Sequence, residues 1–169
     1  DEDLQVRITE GNGERIRFTY KTPELLSSAQ ENYLRNQMNA LDDAIYATNK
    51  NSTEWEDYVD LETLARFYVV QEIMDNTESF HGSCYMHKDK GADTKWKFGP
   101  VWDFGCTYYT SSQNFIYVNP PYGQTWIGEI AKFPRFQAKV KDIWKWFKGN
   151  KYEGVEEYID DFIDKISVA

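Results

Sequence analysis

The chain has 169 residues and a net charge of -9, and 41% of its residues are hydrophobic and 17% aromatic. This length and hydrophobic content predict a globular fold, and we expect residues 1–169 to form a single domain. The excess of acidic residues argues against a nucleic-acid partner, because a phosphate backbone is bound by Lys and Arg. No apolar run approaches the ~20 residues of a membrane-spanning helix, so we expect no membrane span in this chain.

The N-terminal residues 4–20 predict a β-hairpin. Apolar and polar residues alternate in two short runs, which is the pattern of strands with one buried face. Asn12-Gly13 lies between the runs, and Asn-Gly is the strongest short signal for a hairpin turn. We therefore expect two strands, the second of which ends before Pro23.

A helix is predicted to follow this hairpin. Ser27 and Gln30 have the spacing of a capping box, in which each side chain bonds the other residue's free backbone N–H group. Apolar residues then recur at three-and-four spacing as far as Ile45, so one face should pack inward. The helix should end near Thr48. Its solvent-exposed face is expected to carry Glu31, Arg35, Asp42 and Asp43.

A second helix, from Leu61 to about Met74, is apolar on nearly all sides, which is typical of a central, buried helix. Asp60 is placed to cap its first turn, where Glu62 also favours the helix dipole. This helix leads directly into a polar loop, Asn76–Ser83. Since a buried helix gives such a loop rigid support, we expect functional side chains there.

Candidate functional residues lie on both sides of a predicted central hairpin. Its two β-like runs are Ser83–Lys88 and Lys95–Phe98, with Glu78 before the first and Asp103 after the second. The hairpin should bring these two acids to one end. Protein kinases build a metal–phosphate site in this way, from a loop Asp, an Asn five positions later and an Asp-Phe-Gly after the next hairpin. Here Ser83 follows Glu78 by five positions, and Asp103 begins Asp-Phe-Gly.

Residues 107–124 predict a long irregular loop, rich in Tyr, Ser and Asn. Such a loop is either a binding loop or a packed surface loop, and the sequence leaves both alternatives open. Three helical segments follow, which begin near Trp126, Phe136 and Val155. The last of them is expected to bury its apolar face, formed by Val155, Tyr158, Ile159, Phe162, Ile163 and Ile166.

The cysteines and histidines do not form a metal motif. Cys84 and Cys106 lack metal-type spacing and are expected to be separate core residues, with a disulfide between them as the alternative. The spacing of His81 and His87 does not make a zinc site either. His81 lies in the loop after the second helix and is the better candidate for a phosphate or substrate contact.

Several longer strings of the sequence resemble one family. They are Pro23-Glu24-Leu25-Leu26-Ser27, Leu41–Tyr46, Tyr58–Glu62, Gln71–Asn76, Tyr85–Gly91 and, most specifically, Gly99-Pro100-Val101-Trp102-Asp103-Phe104. In this order they resemble the spore coat protein H (CotH) kinase family, and in particular its secreted versions in anaerobic gut bacteria. The resemblance covers about residues 18–166.

The resemblance implies a divergent protein-kinase-like fold, chiefly the helical C-lobe and the catalytic-type hairpin. The family is described as atypical kinases that transfer phosphate from ATP, with Mg²⁺, to Ser of secreted or coat proteins. Position by position, Asp103 matches the metal-binding Asp, and Ser83 lies near the second metal-ligand position. Glu78 lies where the catalytic Asp is expected. Asn76 matches the Asn that leads into the loop, and His81 stands where relatives often have Arg.

The chain departs from the family's pattern at the site itself. Glu78 replaces an Asp, and Gly105 stands where many relatives have a second acid. Neither a Gly-rich phosphate loop nor the Lys–Glu pair of an N-lobe precedes Ser27, and Lys21 is the only Lys before residue 50. We therefore expect the C-terminal portion of a kinase-like domain, without an N-lobe and inactive alone.

Two functions stay open at this point. The first is a CotH-like kinase domain, extracellular or on the cell surface, that uses Mg²⁺ and ATP on a secreted or surface protein. The second is a pseudokinase: a non-catalytic binding or scaffold module whose aromatic residues between 107 and 126 contact a glycan or a protein. In both cases the predicted fold is α+β and mostly helical, with an N-terminal and a central β-hairpin.

Overall fold

The structure of the chain is a computed structural model, and it describes residues 3–7, 15–23, 25–76, 78–80, 82–91, 93–105, 107, 116 and 126–167. Its class is α+β with helix predominant, as predicted. The regular structure of these residues comprises two two-stranded antiparallel sheets, five α-helices and a 3-10 helix at Glu54–Asp57. None of the described helices combines the length and the hydropathy that crossing a membrane requires.

The N-terminal hairpin forms as predicted. Strands β1 (Asp3–Arg7) and β2 (Arg15–Thr19) are antiparallel, and their register sets Leu4 opposite Phe18. The register also pairs Val6 with Ile16, so apolar positions pair with apolar positions across the hairpin, as the alternation in the sequence requires. The rings of Phe18 and Trp126 lie 5.2 Å apart, so β2 meets the helical part of the chain. The predicted turn between the strands lies outside the described residues.

Helix α1 (Ser28–Ile45) begins with the predicted capping box. The Ser27 N–H donates to Gln30 Oε1 at 2.9 Å, and the Gln30 N–H donates to Ser27 Oγ at 3.3 Å. The helix ends at Ile45, before the predicted Thr48. Lys50 turns back there and donates to the Ile45 carbonyl at 2.7 Å, which satisfies one of the carbonyls that a helix end leaves free.

The assignment of Asp42 to the solvent-exposed face of α1 is wrong. Its side chain is fully buried, and Asp42 Oδ1 accepts a hydrogen bond from Trp126 Nε1 at 2.8 Å. Helical spacing predicts that an acid on an amphipathic helix faces solvent. Here the Trp126 N–H, from a distant part of the chain, donates to the carboxylate and so lowers the free-energy cost of burying it. Asp43 is exposed as predicted, and Arg35 pairs with Glu31 at 2.8 Å on the helix surface.

Helix α2 (Leu61–Ile73) lies in the centre of the core, as its apolar sequence predicts. Asp60 caps it, since Asp60 Oδ1 accepts from the Thr63 N–H at 2.7 Å. The core cluster joins α2 to α1, to the short helix α3 (Ile127–Ile130) and to the start of helix α4 (Pro134–Asn150). The buried residues of α2 are Leu64, Ala65, Phe67, Tyr68, Val69 and Gln71.

Helix α5 (Tyr152–Ser167) does not bury its apolar face, so that prediction is wrong. Helix α4 packs on α2, where the rings of Tyr68 and Phe136 lie 5.4 Å apart, but no residue of α5 is buried. The spacing identified an amphipathic helix correctly. It does not specify what covers the helix, and no other described helix does so. Exposed fractions of 43–70% are found for Val155, Tyr158, Ile159, Phe162, Ile163 and Ile166.

Candidate functional site

The central hairpin lies against the N-terminal end of α2. Its strands, β3 (Met86–His87) and β4 (Lys97–Phe98), are antiparallel and shorter than the predicted runs. The Phe98 N–H donates to Thr63 Oγ1 at 3.3 Å, which attaches β4 to the first turn of α2. The helix that leads into the loop before the hairpin therefore also supports the hairpin itself.

Phe80 anchors the loop between α2 and the central hairpin. Its ring lies 5.4 Å from that of Phe67, in edge-to-face contact, and 6.3 Å from that of Phe98. The Tyr68 ring lies 6.3 Å away on the same side of the core. Aromatic pairs of this kind contribute about 0.5–1.5 kcal/mol each beyond the burial of their area. Phe80 was not among the residues predicted from the sequence, although a large apolar residue inside a polar loop is a signal of an anchor.

Asn76 ties the end of α2 to the Asp-Phe-Gly segment. It is 1% exposed, and its N–H donates to the Gln71 carbonyl at 3.0 Å. The side-chain nitrogen Nδ2 donates to Gln71 Oε1 at 2.9 Å and to the Asp103 carbonyl at 3.3 Å. Asn76 thus holds the Asp103 backbone and is itself held by Gln71. Gln71 was not predicted as a site residue. Its signal in the sequence is that it is the single amide side chain of a helix that is apolar on nearly all sides.

The two predicted metal ligands meet in the structure. Ser83 Oγ donates to Asp103 Oδ2 at 3.2 Å, although the residues lie on opposite sides of the hairpin. The other carboxylate oxygen, Oδ1, accepts from the Gly105 N–H at 3.4 Å. Asp103 is exposed and Ser83 half-buried, so both oxygen groups are accessible to a ligand from one side. The convergence expected from the sequence was that of Glu78 with Asp103, and the contact that the structure shows is between Ser83 and Asp103.

The backbone around this pair is strained. Ser83 has φ 50° and Asp103 has φ 56°, and Asp75, next to Asn76, has φ 45°. These are the non-glycine residues with positive φ in the described part of the chain. Such conformations cost about 1–3 kcal/mol each and tend to occur at functional sites. Ser83 is therefore not the start of a strand, as the sequence indicated, and its left-handed backbone aims the hydroxyl at Asp103.

Glu78 is not joined to this pair, and His81 lies outside the described residues. Glu78 is half-buried, and its carbonyl accepts from the Gly82 N–H at 3.0 Å, which closes a turn in the loop. Its carboxylate has no hydrogen-bond or ion-pair partner among the residues that the structure describes. The roles predicted for Glu78 and His81 therefore stay predictions.

Glu72 is a half-buried acid that was not predicted from the sequence as a site residue. Its carboxylate accepts hydrogen bonds from the Tyr68 hydroxyl and, at 2.9 Å, from the Ile116 N–H. Burial raises the pKa of Glu72, against the lowering effect of these two hydrogen bonds. Ile116, which belongs to the predicted loop after Asp103, is itself buried. The chain therefore returns from the site to the last turn of α2.

A groove of about 1330 Å³ opens beside Ser83. It runs along the end of β2, helix α1 and the central hairpin, and Lys21 and Lys88 contribute to its lining. Its size is sufficient for a ligand larger than a metal ion. Its apolar wall contains Phe18, Met38, Phe80, Met86, Phe98 and Trp126.

The oxygen groups of Asp103 and Ser83 fit Mg²⁺ when the ion is carried by phosphates. Mg²⁺ is usually held by one or two carboxylates, together with phosphate oxygens and waters. No cluster of three or more His, Cys, Asp or Glu side chains that could bind a metal by itself occurs among the described residues. Cys84 is a free thiol whose burial raises its pKa to about 12, so it does not act as a thiolate ligand. Cys106 lies outside the described residues.

Comparison with known proteins identifies the family. A family model described as CotH kinase protein matches residues 4–168, which is nearly the whole chain. No curated protein and no solved structure matches the chain significantly, so the kinase C-lobe that the sequence predicts stays a prediction. The family match confirms the resemblance that the order of motifs indicated. This chain belongs to the CotH kinase family.

Proposed function

We propose that this chain forms the metal-binding and acceptor side of a phosphotransferase site, which uses ATP and Mg²⁺ to phosphorylate Ser of a secreted or surface protein. The observation that carries the proposal is the hydrogen bond of 3.2 Å between Ser83 and Asp103. It brings together two oxygen groups from either side of one hairpin, next to a groove of about 1330 Å³. Membership of the CotH kinase family supports the same chemistry.

Asp103, Ser83 and Asn76 have roles that their contacts support. Asp103 and Ser83 would hold Mg²⁺, which would neutralise phosphate charge. Asn76 is a positioning residue, because its side chain holds the Asp103 carbonyl at 3.3 Å. Phosphoryl transfer depends on such positioning more than on covalent help from the protein. His81 keeps the role predicted from the sequence, a contact to a phosphate.

Glu78 is the general base of the proposed reaction. Its carboxylate is not neutralised by a cation of the described residues, so it is available to accept a proton. It takes the proton of the acceptor serine as the serine oxygen bonds to the γ-phosphorus, and the bond from that phosphorus to ADP breaks. Glu has one methylene more than Asp. The acceptor serine therefore has to lie further from the loop backbone than it would in a site with Asp.

The nucleotide occupies the groove. Its aromatic and aliphatic wall suits a purine base, and the Ser83 end would receive the phosphates beside Asp103. Three lysines (Lys21, Lys88 and Lys90) and one acid (Asp89) also line the groove, and this excess of positive charge favours a polyanionic ligand.

The first test is ATP binding by this chain, measured by thermal shift and calorimetry with and without Mg²⁺. A ligand that binds only the folded state raises its melting temperature. We expect Mg²⁺-dependent stabilisation by a non-hydrolysable ATP analogue, which Asp103→Asn abolishes. Asp93→Asn is the matched control, since Asp93 is an exposed acid in the turn of the same hairpin. It should respond to the ligands as the original chain does.

The second test separates binding from transfer. Glu78→Gln keeps the size of the side chain and removes the base, so it should bind the ATP analogue normally and should lose whatever transfer of labelled phosphate to casein the original chain supports. If neither metal nor nucleotide stabilises the chain at millimolar concentration, the phosphotransferase proposal is wrong. The binding module for a glycan or a protein would then be the better description.

A further inference from the structure

Helix α2 ends in a Schellman motif. The Asn76 N–H donates to the Gln71 carbonyl at 3.0 Å, and the Asp75 N–H donates to the Glu72 carbonyl at 3.2 Å. Asp75 has φ 45°, the left-handed conformation that this motif requires. The motif sets Asn76 beside Gln71. A contact between two apolar side chains frequently accompanies the motif at these positions.

This chain has two buried amides in place of that apolar contact. Gln71 and Asn76 are each 1% exposed, and Asn76 Nδ2 donates to Gln71 Oε1 at 2.9 Å. The same nitrogen donates to the Asp103 carbonyl at 3.3 Å, so both of its N–H groups are used. Because a carbonyl can only accept, the Asn76 group that faces Asp103 is the nitrogen, and Gln71 presents its oxygen to that nitrogen. The orientation of both amides is therefore determined.

Three polar atoms of this region are left without a partner. Gln71 Nε2, Asn76 Oδ1 and Ser79 Oγ are buried and form no hydrogen bond within the described part of the chain. They are three of the six such side-chain atoms there, and all three come from residues 71–79. Since burying a polar group without a hydrogen bond costs free energy, a concentration of this kind indicates a further partner.

The three atoms belong to groups that are adjacent in the fold. In each amide the nitrogen and the oxygen are about 2.3 Å apart, so Gln71 Nε2 and Asn76 Oδ1 are separated by at most about 7.5 Å across the 2.9 Å bond. Ser79 lies on the turn that begins at Asn76, since the Ser79 N–H donates to the Asn76 carbonyl at 3.2 Å. Ser79 is 3% exposed, so its hydroxyl also lies in the interior.

The chemistry of these atoms selects the class of partner. Gln71 Nε2 can only donate, Asn76 Oδ1 can only accept, and the Ser79 hydroxyl can do both. The amide hydrogens of Gln71 repel a cation, and the amide oxygen of Asn76 repels an anion. Water both donates and accepts, and a buried water typically makes about three hydrogen bonds to polar groups that lack other partners.

We propose that a buried water molecule joins Gln71 Nε2, Asn76 Oδ1 and Ser79 Oγ behind the Asp-Phe-Gly segment. The water accepts from the Gln71 amide and donates to the Asn76 oxygen, which fixes the rotation of the Asn76 amide. Nδ2 of Asn76 then stays on the Asp103 carbonyl. Ser79 and Gln71 thus hold the Asp103 backbone through Asn76, whether or not the chain transfers phosphate.

The first test is NMR of the whole chain with nitrogen-labelled side-chain amides. A long-lived internal water gives nuclear Overhauser peaks to protons within hydrogen-bond distance, so we expect such peaks at the side-chain amide of Gln71. In Ser79→Ala these peaks should weaken, and the side-chain amide resonance of Asn76 should shift. Absence of water peaks from the original chain overturns the proposal, as does an Asn76 resonance that Ser79→Ala leaves unchanged.

The stability of Ser79→Ala is the second test, because the proposal determines the sign of the change. Loss of a hydrogen bond to the water should lower the equilibrium constant for folding, measured in urea, at least about fivefold. Removal of a hydroxyl that is buried without a partner would raise that constant instead. An unchanged or raised constant therefore overturns the proposal. Ser28→Ala is the matched control, at an exposed serine of α1, and should change the constant less than about twofold.

Discussion

The indole N–H of Trp126 donates a hydrogen bond to the Asp42 carboxylate at 2.8 Å, inside a core where the Asp42 side chain has no exposed surface. Trp126 precedes α3 and Asp42 lies on α1, so the bond joins two elements that are far apart in the sequence. The Phe18 ring packs on the same indole, with centroids 5.2 Å apart. Trp126 therefore holds together the wall of the groove and the helix behind it.

Trp126→Phe should destabilise the protein, because it leaves the buried Asp42 carboxylate without this donor. We expect the free energy of unfolding in urea to fall by about 1–3 kcal/mol. Trp146→Phe is the matched control. Trp146 is 48% exposed, and Phe keeps a ring beside Arg66, so its effect should stay within about 0.5 kcal/mol. Equal effects of the two substitutions would contradict a structural role of the Asp42–Trp126 bond.

Substitutions of Ser83 should separate backbone strain from side-chain function. Both Ser83→Gly and Ser83→Ala remove the hydroxyl that bonds Asp103, but only Gly adopts φ 50° without steric cost. Ser83→Gly should therefore be more stable than Ser83→Ala by about 1 kcal/mol in denaturant unfolding. Both should weaken Mg²⁺-dependent nucleotide binding. A Gly variant that is no more stable than the Ala variant would show that the backbone at this position is unstrained.

Glu72 should make the protein less stable as pH rises. Burial raises its pKa in the folded state above the ordinary glutamate value, so the folded state binds more protons than the unfolded one between these two values. The free energy of unfolding should therefore fall as pH increases from the ordinary glutamate pKa through the raised one. Glu72→Gln removes this dependence, and its stability relative to the original chain should increase across that window.

Glu62→Gln is the control for the same pH series, because the pKa of Glu62 is shifted in the opposite direction to that of Glu72. Hydrogen bonds from Lys139 and Arg66 lower the pKa of Glu62, so its contribution is present above the ordinary glutamate pKa and is lost as pH falls through the lowered one. The Glu62 side chain is 42% exposed to solvent, so its effect should be small. Glu72→Gln could instead change the free energy of unfolding at pH values below the ordinary glutamate pKa, where Glu62 acts. That result would show that burial does not destabilise the Glu72 carboxylate.

Loss of the cap on α2 should weaken both the core and the site. Asp60→Ala removes the acceptor for the Thr63 N–H and should cost about 0.5–2 kcal/mol of unfolding free energy. The Thr63 hydroxyl also accepts a hydrogen bond from the Phe98 N–H, so the rate of amide hydrogen exchange at Phe98 should increase as well. Asp57→Ala, at an exposed acid of the preceding 3-10 helix, is the control and should be neutral. Unchanged exchange at Phe98 would show that the cap does not support the hairpin.

Local features of this protein could be predicted from its sequence. The capping box of Ser27 and Gln30, the Asp60 cap and the apolar α2 follow from residues within a few positions of one another. Their hydrogen bonds close within one turn of helix, so composition and spacing suffice. The order of motifs also identified the family. The hairpin rule predicted that Glu78 and Asp103 converge, whereas the contact that the structure shows at Asp103 comes from Ser83.

Only the tertiary structure decided the remaining features. The burial of Asp42, the hold of Asn76 on Asp103 and the bond from Ile116 to Glu72 join residues from different elements. Whether an acid on a helix is buried depends on a donor that the packing supplies, and the local pattern does not contain that information. The exposure of α5 has the same cause. Amphipathic spacing defines an apolar face, but the arrangement of all the other elements determines whether anything covers it.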